Sequence, residues 1–188
     1  MRIIAGACKG RRLAVPQGRE VRPTSDRARE AVFNVLAHGI DWPGFEDAVV
    51  LDLFAGSGAL GLESLSRGAR HATFIDVSEA ALKIVRKNTA ELGFWRQSTL
   101  LSLDATRLPP PPLAAQCPAT LALLDPPYEK DLLLPALLGL RTKGWIGAGT
   151  IVVAEVGARE SIDPPSGYAL LDDRTYGAAR VLILERSA

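Results

Sequence analysis

Asp125, Pro126, Pro127 and Tyr128 form the motif with the most direct chemical meaning, at the end of the apolar run 121–124. Proline lacks an N–H group and has a fixed φ, so the two prolines predict a rigid loop that ends a central strand. In open α/β sheets, ligands bind beyond the carboxyl ends of the strands. The Asp125 carboxylate and the Pro126 carbonyl could accept both hydrogens of one NH2 group while Tyr128 stacks on its ring. The motif indicates a holder for the exocyclic amine of a nucleobase, although a simple turn after a strand also uses Asp-Pro.

A glycine-rich stretch at residues 55–61 is the second motif, and it follows another apolar run at residues 49–54. Its glycines fit G-x-G-x-x-G, which allows a tight turn and the close approach of a ligand to the backbone at a helix N-terminus. Asp76 follows the next apolar run about 20 residues on, where a carboxylate can bind ribose hydroxyls. These features fit a nicotinamide dehydrogenase as well as an enzyme that uses S-adenosylmethionine.

Asp52 lies within the strand end before the glycines and helps to separate these two cofactors. A second acid at this place suits the cationic methionine part of S-adenosylmethionine, whereas it would repel a dianionic pyrophosphate. The alternative is a structural role, in which Asp52 caps the glycine turn.

Three stretches together resemble one family. They are the pattern Asp52-x-Phe54-x-Gly56-x-Gly58, the motif at 125–128, and the N-terminal stretch 22–34, which begins Arg-Pro-Thr-Ser-Asp-Arg. The chain resembles the RsmD family of bacterial 16S rRNA guanine-N2 methyltransferases over nearly its whole length. The resemblance implies a class I methyltransferase that uses S-adenosylmethionine, yields S-adenosylhomocysteine and needs no metal. It also implies that the acceptor is the N2 amine of a guanine in 16S rRNA. Because a small domain with one basic arm has limited surface for reading RNA, we expect a 30S ribosomal assembly intermediate as the substrate, with naked rRNA as the alternative.

The candidate cofactor-binding residues come from the first helix, the glycine loop and the ends of three strands. They are Glu30, Phe33, Asp52, Phe54, Gly56, Ser57, Gly58, Asp76, Asp104 and Ala105. We expect the glycine loop to approach the methionine part and Asp76 to take both ribose hydroxyls. Phe54 and Phe33 could wall the adenosine, although apolar residues in such elements are more often core. Asp104 is equally suited to capping a turn.

The candidate catalytic residues are Asp125, Pro126, Pro127 and Tyr128. The lone pair of a purine amine is delocalised into the ring and is poorly nucleophilic. Asp125 and the Pro126 carbonyl, accepting the two N–H bonds, would direct the lone pair at the methyl group and stabilise the developing ammonium. Tyr128 would stack on an unpaired or extruded base.

The net charge of +1 conceals an asymmetry along the chain. Residues 1–30 carry eight basic and three acidic side chains, a net charge of +5, against −4 for the remainder. A basic N-terminal arm on a mildly acidic body indicates an anionic polymer as partner, although a solvated surface is the simpler alternative. The candidate RNA-binding residues are Arg11, Arg12, Arg22 and Arg27, since arginine binds phosphate bidentately.

Length and composition are those of one folded domain. The 188 residues can bury a sizeable core, and 47% hydrophobic residues are too many for a disordered chain. No run reaches the ~20 apolar residues of a membrane helix, and no signal peptide is recognisable. Cys8 and Cys117 are far apart and lack a metal-binding pattern. We therefore expect a cytoplasmic monomer that has no membrane segment.

The order of the predicted elements indicates a doubly wound, mostly parallel, seven-stranded α/β sheet that ends in an antiparallel hairpin. Strands are predicted at 49–54, 72–76, 98–103, 121–125, 150–155, 168–171 and 180–185. Helices are predicted at 59–67, 79–92 and 130–141, after an N-terminal helix that Thr24 or Ser25 caps and that ends before Gly39. Residues 2–5 and 11–15 predict a short hairpin. We expect residues 1–40 to form a basic extension and 41–188 the methyltransferase domain.

Three other functions compete with rRNA methylation. A DNA or RNA adenine-N6 methyltransferase would use the same Asp-Pro-Pro-Tyr motif, but this chain contains no inserted domain for recognising a DNA target. A nicotinamide oxidoreductase would explain the glycines and leave the motif at 125–128 without a role. A non-catalytic RNA-binding assembly factor would explain the basic arm alone.

Overall fold

A computed structural model describes residues 1–15, 26–128, 130–160 and 162–188, and over these residues it contains four α-helices and seven β-strands. The helices are α1 (Asp26–His38), α2 (Ala59–Ser66), α3 (Glu79–Leu92) and α4 (Leu133–Thr142). The strands are β1 (Val49–Leu53), β2 (His71–Asp76), β3 (Ser98–Ser102), β4 (Ala119–Leu124), β5 (Ile146–Gly157), β6 (Tyr168–Tyr176) and β7 (Ala179–Arg186). Across the described residues, no helix has the length and apolar character that crossing a membrane requires.

The strands form one sheet in the order β3-β2-β1-β4-β5-β7-β6. The strands β1 to β5 are parallel to one another, and β7 is antiparallel to both β5 and β6. Leu53 of β1 pairs with Ile75 of β2 on one side and with Leu124 of β4 on the other. The carboxyl ends of these three strands therefore meet where the strand order reverses, the usual position of a ligand site in such sheets. The predicted fold class is confirmed.

Helices cover both faces of the sheet, which explains why β1 and β2 are buried along their whole length. The core on one face contains side chains of α1, α2 and α3, and the core on the other face contains those of α4. Val50 belongs to the first core, and its neighbours Val49 and Leu51 belong to the second. Side chains alternate along a strand, so Asp52 projects to the same face as Val50, towards α2.

The N-terminal segment 1–15 forms the predicted hairpin in a reduced form. Its two arms are joined by an isolated antiparallel bridge between Arg2 and Arg12 and by a few backbone hydrogen bonds, such as Ile3 N–H to Arg11 O at 2.9 Å. Regular strands do not form because α2 takes the backbone donors instead. Glu63 accepts the N–H groups of Ile4 and Ala5 at 2.7 and 3.0 Å, and the Ser66 hydroxyl accepts that of Cys8. The division at residue 40 stays a prediction.

Most predicted boundaries agree with the structure to within a few residues. Ser78 caps α3 by accepting the Ala81 N–H, and α3 ends at Gly93, as predicted. The predicted start of α4 at residue 130 is wrong because Pro135 is tolerated only in the first turn of a helix, which places the start at Leu133. Strand β6 is longer than predicted, since it is an edge strand whose mostly exposed residues give no apolar pattern. The predicted caps Thr24 and Ser25 lie outside the described residues.

Candidate functional site

Three carboxylates converge at the carboxyl ends of β1, β2 and β4. Asp52 lies within β1, Asp76 ends β2, and Asp125 directly follows β4. Burial raises the pKa of Asp52 well above its ordinary value of 3.8, and the negative charges of Asp125 and Asp76 raise it further, against the hydrogen bond from Gly61. This end of the sheet is therefore electrostatically suited to a cationic ligand.

Asp52 is held against the first turn of α2. It is 1% exposed, and its Oδ2 accepts the Gly61 N–H at 2.9 Å. A side chain at Gly61 would not fit, because its Cβ would lie 2.5 Å from Cε1 of Phe74 and 3.1 Å from Oδ2 of Asp52. The capping interpretation of Asp52 is thus realised, and its contact with the ammonium of a cofactor stays a prediction.

Asp76 joins the glycine loop to the start of α3. Its Oδ2 accepts the Gly56 N–H at 2.9 Å and its Oδ1 accepts the Ser78 N–H at 2.8 Å, while the residue is only 7% exposed. Each oxygen still has a second lone pair that a hydroxyl could use. The ribose role of Asp76 stays a prediction, and the structure adds a loop-fixing role.

The glycine loop adopts left-handed backbone conformations from its first residues. Phe54 has φ 61°, Gly56 φ 56° and Gly58 φ 77°, and the Gly58 N–H donates to Ala55 O at 2.7 Å. A positive φ is unfavourable for a bulky residue, so the half-buried Phe54 is strained where the strand turns into the loop. A Cβ on Gly56 would have the Phe54 carbonyl oxygen nearest, at 3.8 Å. The backbone at Gly56 can therefore be approached closely by a ligand.

Asn88 of α3 is a site residue that the motifs do not indicate. It is fully buried, its Oδ1 accepts the Ala14 N–H at 2.8 Å, and its Nδ2 donates to Ala14 O at 3.0 Å and to Ser57 O at 2.9 Å. Asn88 thus ties the N-terminal segment to the glycine loop. The sequence signal that could have identified Asn88 is its amide on the helix face that Val85 and Leu92 present to the core.

The segment 125–128 leads from β4 to a cavity of about 310 Å³. Pro126 is buried, Asp125 and Tyr128 are half-buried, and the Tyr128 hydroxyl donates to Oε1 of Glu155 at 2.5 Å. The cavity is lined by Pro126, Pro127 and Tyr128, by residues 131–134 at the start of α4, and by the end of β5 and the segment after it. Because Asp125 also lies within electrostatic reach of Asp52, the two sequence motifs meet at one site.

The remaining cofactor candidates are placed as follows. Asp104 is exposed, and its Oδ1 accepts the N–H and hydroxyl of Thr106 at 2.9 and 2.7 Å, which lowers its pKa. It therefore caps a turn, as the alternative interpretation has it. Ala105 is buried and Glu30 is exposed on α1. The adenine contact of Asp104 and Ala105 and the role of Glu30 stay predictions.

The structure places Phe33, the other residue predicted to wall the adenosine, in the core, and its contact with the cofactor stays a prediction. Its ring is fully buried, stacks on Phe45 with 5.4 Å between centroids, and lies 4.9 Å from the guanidinium carbon of Arg67. Phe45 precedes β1 and Arg67 precedes β2, so these partners lie at the amino ends of the strands, opposite the glycine loop. The helical spacing of α1 places this side chain in the core, where an aromatic ring is most stable.

The three candidate RNA-binding arginines that the structure describes lie on the surface. Arg12 and Arg27 are exposed, and Arg11 donates from Nη2 to the carbonyl of Glu91, in the last turn of α3, at 2.8 Å. A cation is favourable at that end of a helix. Arg22 lies outside the described residues. Contacts of these arginines with RNA stay predictions.

Comparisons with known proteins show the family and the fold of the chain. The profile of a family described as "Conserved hypothetical protein 95" matches residues 1–185. Ribosomal RNA small subunit methyltransferase D of Escherichia coli (strain K12) is 34% identical over 189 residues, which cover 100% of this chain and 91% of that protein. The solved structure of the Escherichia coli protein named "Putative methyltransferase yhhF" superposes with a TM-score of 0.83 at 33% identity, over 100% of this chain and 98% of that chain.

A solved structure of lower sequence identity has a similar fold. Magnesium protoporphyrin IX methyltransferase (ChlM) from Synechocystis PCC 6803, solved with bound SAM, has a TM-score of 0.61 at 15% identity, over 86% of this chain and 79% of that chain. At this identity the likeness concerns the fold alone.

Proposed function

The chain belongs to the RsmD family, and we propose that it transfers a methyl group from S-adenosylmethionine to the N2 amine of a guanine in 16S rRNA. One observation carries the proposal: the glycine loop and the segment 125–128 share one end of the sheet, where Asp125 and Asp52 lie within electrostatic reach. A cofactor site and an amine-holding site are thereby adjacent. The name of the E. coli relative supports a small-subunit rRNA substrate.

The residues at the strand ends fit S-adenosylmethionine better than a dinucleotide. Asp52, Asp76 and Asp125 make this region anionic, which favours the ammonium and sulfonium of that cofactor and disfavours a pyrophosphate. The backbone at Gly56 would allow the cofactor to approach closely, and Asp76 would bind the ribose of the cofactor. When bound, S-adenosylmethionine supplies a methyl group that its sulfonium already activates. No metal ion is part of the proposed chemistry.

The acceptor amine is prepared by the segment 125–128. The Asp125 carboxylate and the Pro126 carbonyl accept its two hydrogens, so the nitrogen pyramidalises and its lone pair turns away from the purine ring. The negative charge of Asp125 stabilises the positive charge that develops on nitrogen, and the surplus proton leaves to Asp125 or to water. Holding the amine beside the cofactor loop supplies the proximity effect.

The N-terminal segment presents its arginines on a fixed surface. Buried groups of α2 and α3 hold its backbone, notably Glu63 and Asn88. Exposed Arg12 of this segment, and exposed Arg27 of α1, can then contact phosphates from regular or fixed backbone, without a large loss of backbone entropy. A small domain that offers one basic surface reads little sequence, so we propose an assembling 30S particle as the substrate.

The test is transfer of a tritiated methyl group to total RNA and to 30S particles from cells that lack the gene, followed by nucleoside analysis. We expect N2-methylguanosine in 16S rRNA, more from particles than from naked RNA, and no product with Asp125→Ala. N6-methyladenosine as the product would overturn the guanine assignment. S-adenosylmethionine binding by calorimetry without transfer to any RNA would overturn the enzymatic role and favour an assembly factor.

A further inference from the structure

Glu155 makes a contact with the segment 125–128 that none of the roles above uses. Its Oε1 accepts a hydrogen bond from the Tyr128 hydroxyl at 2.5 Å, across 27 residues of sequence. Bonds from a hydroxyl to a carboxylate at this distance are short, charge-assisted and geometrically strict. The loop after β4 is thereby fastened to the end of β5.

A carboxylate is an unexpected residue at this place in β5. Glu155 is 8% exposed and lies among the buried apolar residues 151–156, in register with Val181 of β7. It is the only ionisable residue of β5. Burying a charge is unfavourable unless it is paired and hydrogen-bonded, so a valine or isoleucine would suit the sheet better. A role outside the core explains its presence.

Both partners line the same cavity. Tyr128 and Glu155 face the space of about 310 Å³, together with Pro126, Pro127, Leu133 and Ile162. This volume is at the lower end of the range of small-ligand pockets and is sufficient for a nucleobase. Since Pro126 belongs to the segment that would hold the acceptor amine, the cavity is where the rest of that base would lie.

We propose that Glu155 is the positioning residue of the acceptor site, whose carboxylate fixes the Tyr128 ring in the orientation that stacks on the nucleobase. The identity of the base in this proposal rests on the proposed function, whereas the fixing of the Tyr128 ring does not. Without the bond, the ring rotates about its side-chain torsions and must be ordered again whenever a base enters. Loss of Glu155 should therefore act on RNA, through Tyr128, and leave cofactor binding unchanged.

The first experiment measures transfer to 30S particles by the full-length protein and its variants Glu155→Leu, Glu155→Gln, Tyr128→Phe and the double variant Tyr128→Phe/Glu155→Leu. Glu155→Leu should raise KM for the particle and lower kcat/KM roughly tenfold, a loss of about 1.4 kcal/mol. Glu155→Gln should keep most of the activity, since its amide oxygen still accepts the phenol hydrogen. Tyr128→Phe should lose as much as Glu155→Leu, and the double variant no more than either, because both remove one bond.

The second experiment needs no RNA. The chain has three tyrosines, so ring signals of Tyr128 can be assigned in 13C-tyrosine spectra with Tyr168→Phe and Tyr176→Phe as assignment variants. Glu155→Leu should shift and average the Tyr128 signals while those of Tyr168 and Tyr176 stay in place. Calorimetry should give an unchanged Kd for S-adenosylmethionine, and thermal unfolding should show that the variant is folded.

The outcomes separate this proposal from the proposed function. Unchanged Tyr128 signals in Glu155→Leu would overturn the positioning role. So would a loss of kcat/KM from Glu155→Leu that is as large in the Tyr128→Phe background as in the wild-type background. A folded Glu155→Leu with weakened S-adenosylmethionine binding would also overturn it. If the wild-type product were N6-methyladenosine while the ring signals responded as expected, the guanine assignment would fail and the positioning role would stand.

Discussion

The cofactor half and the acceptor half of the strand-end site are held in different ways. On the cofactor half, Asp52 and Asp76 are at most 7% exposed, and their oxygens accept backbone N–H groups of the glycine loop and the helix starts. On the acceptor half, Asp125 and Tyr128 are half-buried beside a cavity, and a bond between two side chains holds the tyrosine. One half is fixed by the backbone and the other by side chains.

This difference predicts how each half responds to substitution. An acceptor oxygen that binds backbone groups supports both the ligand and the local fold, so removing that acceptor should reduce cofactor affinity and stability together. Asp125 is half-buried and would contact the acceptor amine, so its loss should fall on turnover.

Asp125→Ala should show the greatest effect, a loss of at least ~10²-fold in the rate of methyl transfer with little change in S-adenosylmethionine affinity. The reason is that Asp125 contacts the acceptor amine, whose charge develops only in the transition state. Single-turnover kinetics and calorimetry measure the two quantities. Asp41→Ala, which removes an exposed acid before β1, is the control and should retain full activity. Transfer at a near-normal rate by Asp125→Ala would contradict the mechanism.

Asp76→Ala should weaken S-adenosylmethionine binding by roughly 1.5–3 kcal/mol, because two hydroxyls lose a charged acceptor. It should also destabilise the fold by about 1–3 kcal/mol, since the N–H groups of Gly56 and Ser78 lose their partner. Calorimetry and urea unfolding check the two effects, with Glu79→Ala, an exposed residue of the same helix start, as control. Normal affinity in the variant would refute the ribose role.

Arg12→Ala and Arg27→Ala should each raise KM for the RNA substrate several-fold and reduce the slope of log affinity against log salt by about 1. Turnover at saturating RNA should be kept, because phosphate contacts position the polymer without joining the chemistry. Lys143→Ala removes an exposed cation at the end of α4, on the other face of the sheet, and should change neither quantity. Weakened S-adenosylmethionine binding in the arginine variants would instead place the arm at the cofactor.

Asp52→Asn should show the smallest effect, and it should stabilise the protein whereas Asp76→Ala destabilises it. The folded state raises the pKa of Asp52 above its ordinary value of 3.8, so this group's contribution to stability falls as the pH rises from that value through the raised pKa. The variant can still accept the Gly61 N–H and should unfold roughly 2–4 °C above wild type at neutral pH. The gain should vanish in acid, where both side chains are neutral. Thermal unfolding of both proteins from pH 4 to pH 8 measures this gain. A difference in unfolding temperature that does not change with pH would contradict the prediction. Weaker S-adenosylmethionine binding should accompany the gain.

Much of the fold could be predicted because it depends on local patterns. Helix α3 was predicted to the residue from Ser78, its apolar spacing and Gly93, since capping is chemistry of neighbouring residues. The strands β1, β2 and β4 follow from continuous apolar runs, as expected when both faces of a parallel sheet are covered. The N-terminal hairpin is shorter than predicted, and Glu63, about 60 residues away, accepts the N–H groups of Ile4 and Ala5.

The two chemical motifs, the order of the elements and the charge asymmetry can be read from the sequence, since each depends on residue types and short spacings. Four features become visible only in the folded chain: Asp52 faces α2, Asn88 joins the N-terminal segment to the glycine loop, Phe33 lies in the core, and Glu155 binds Tyr128. These contacts join residues up to 74 positions apart. Strand order and helix packing bring such residues together, and no local pattern encodes either.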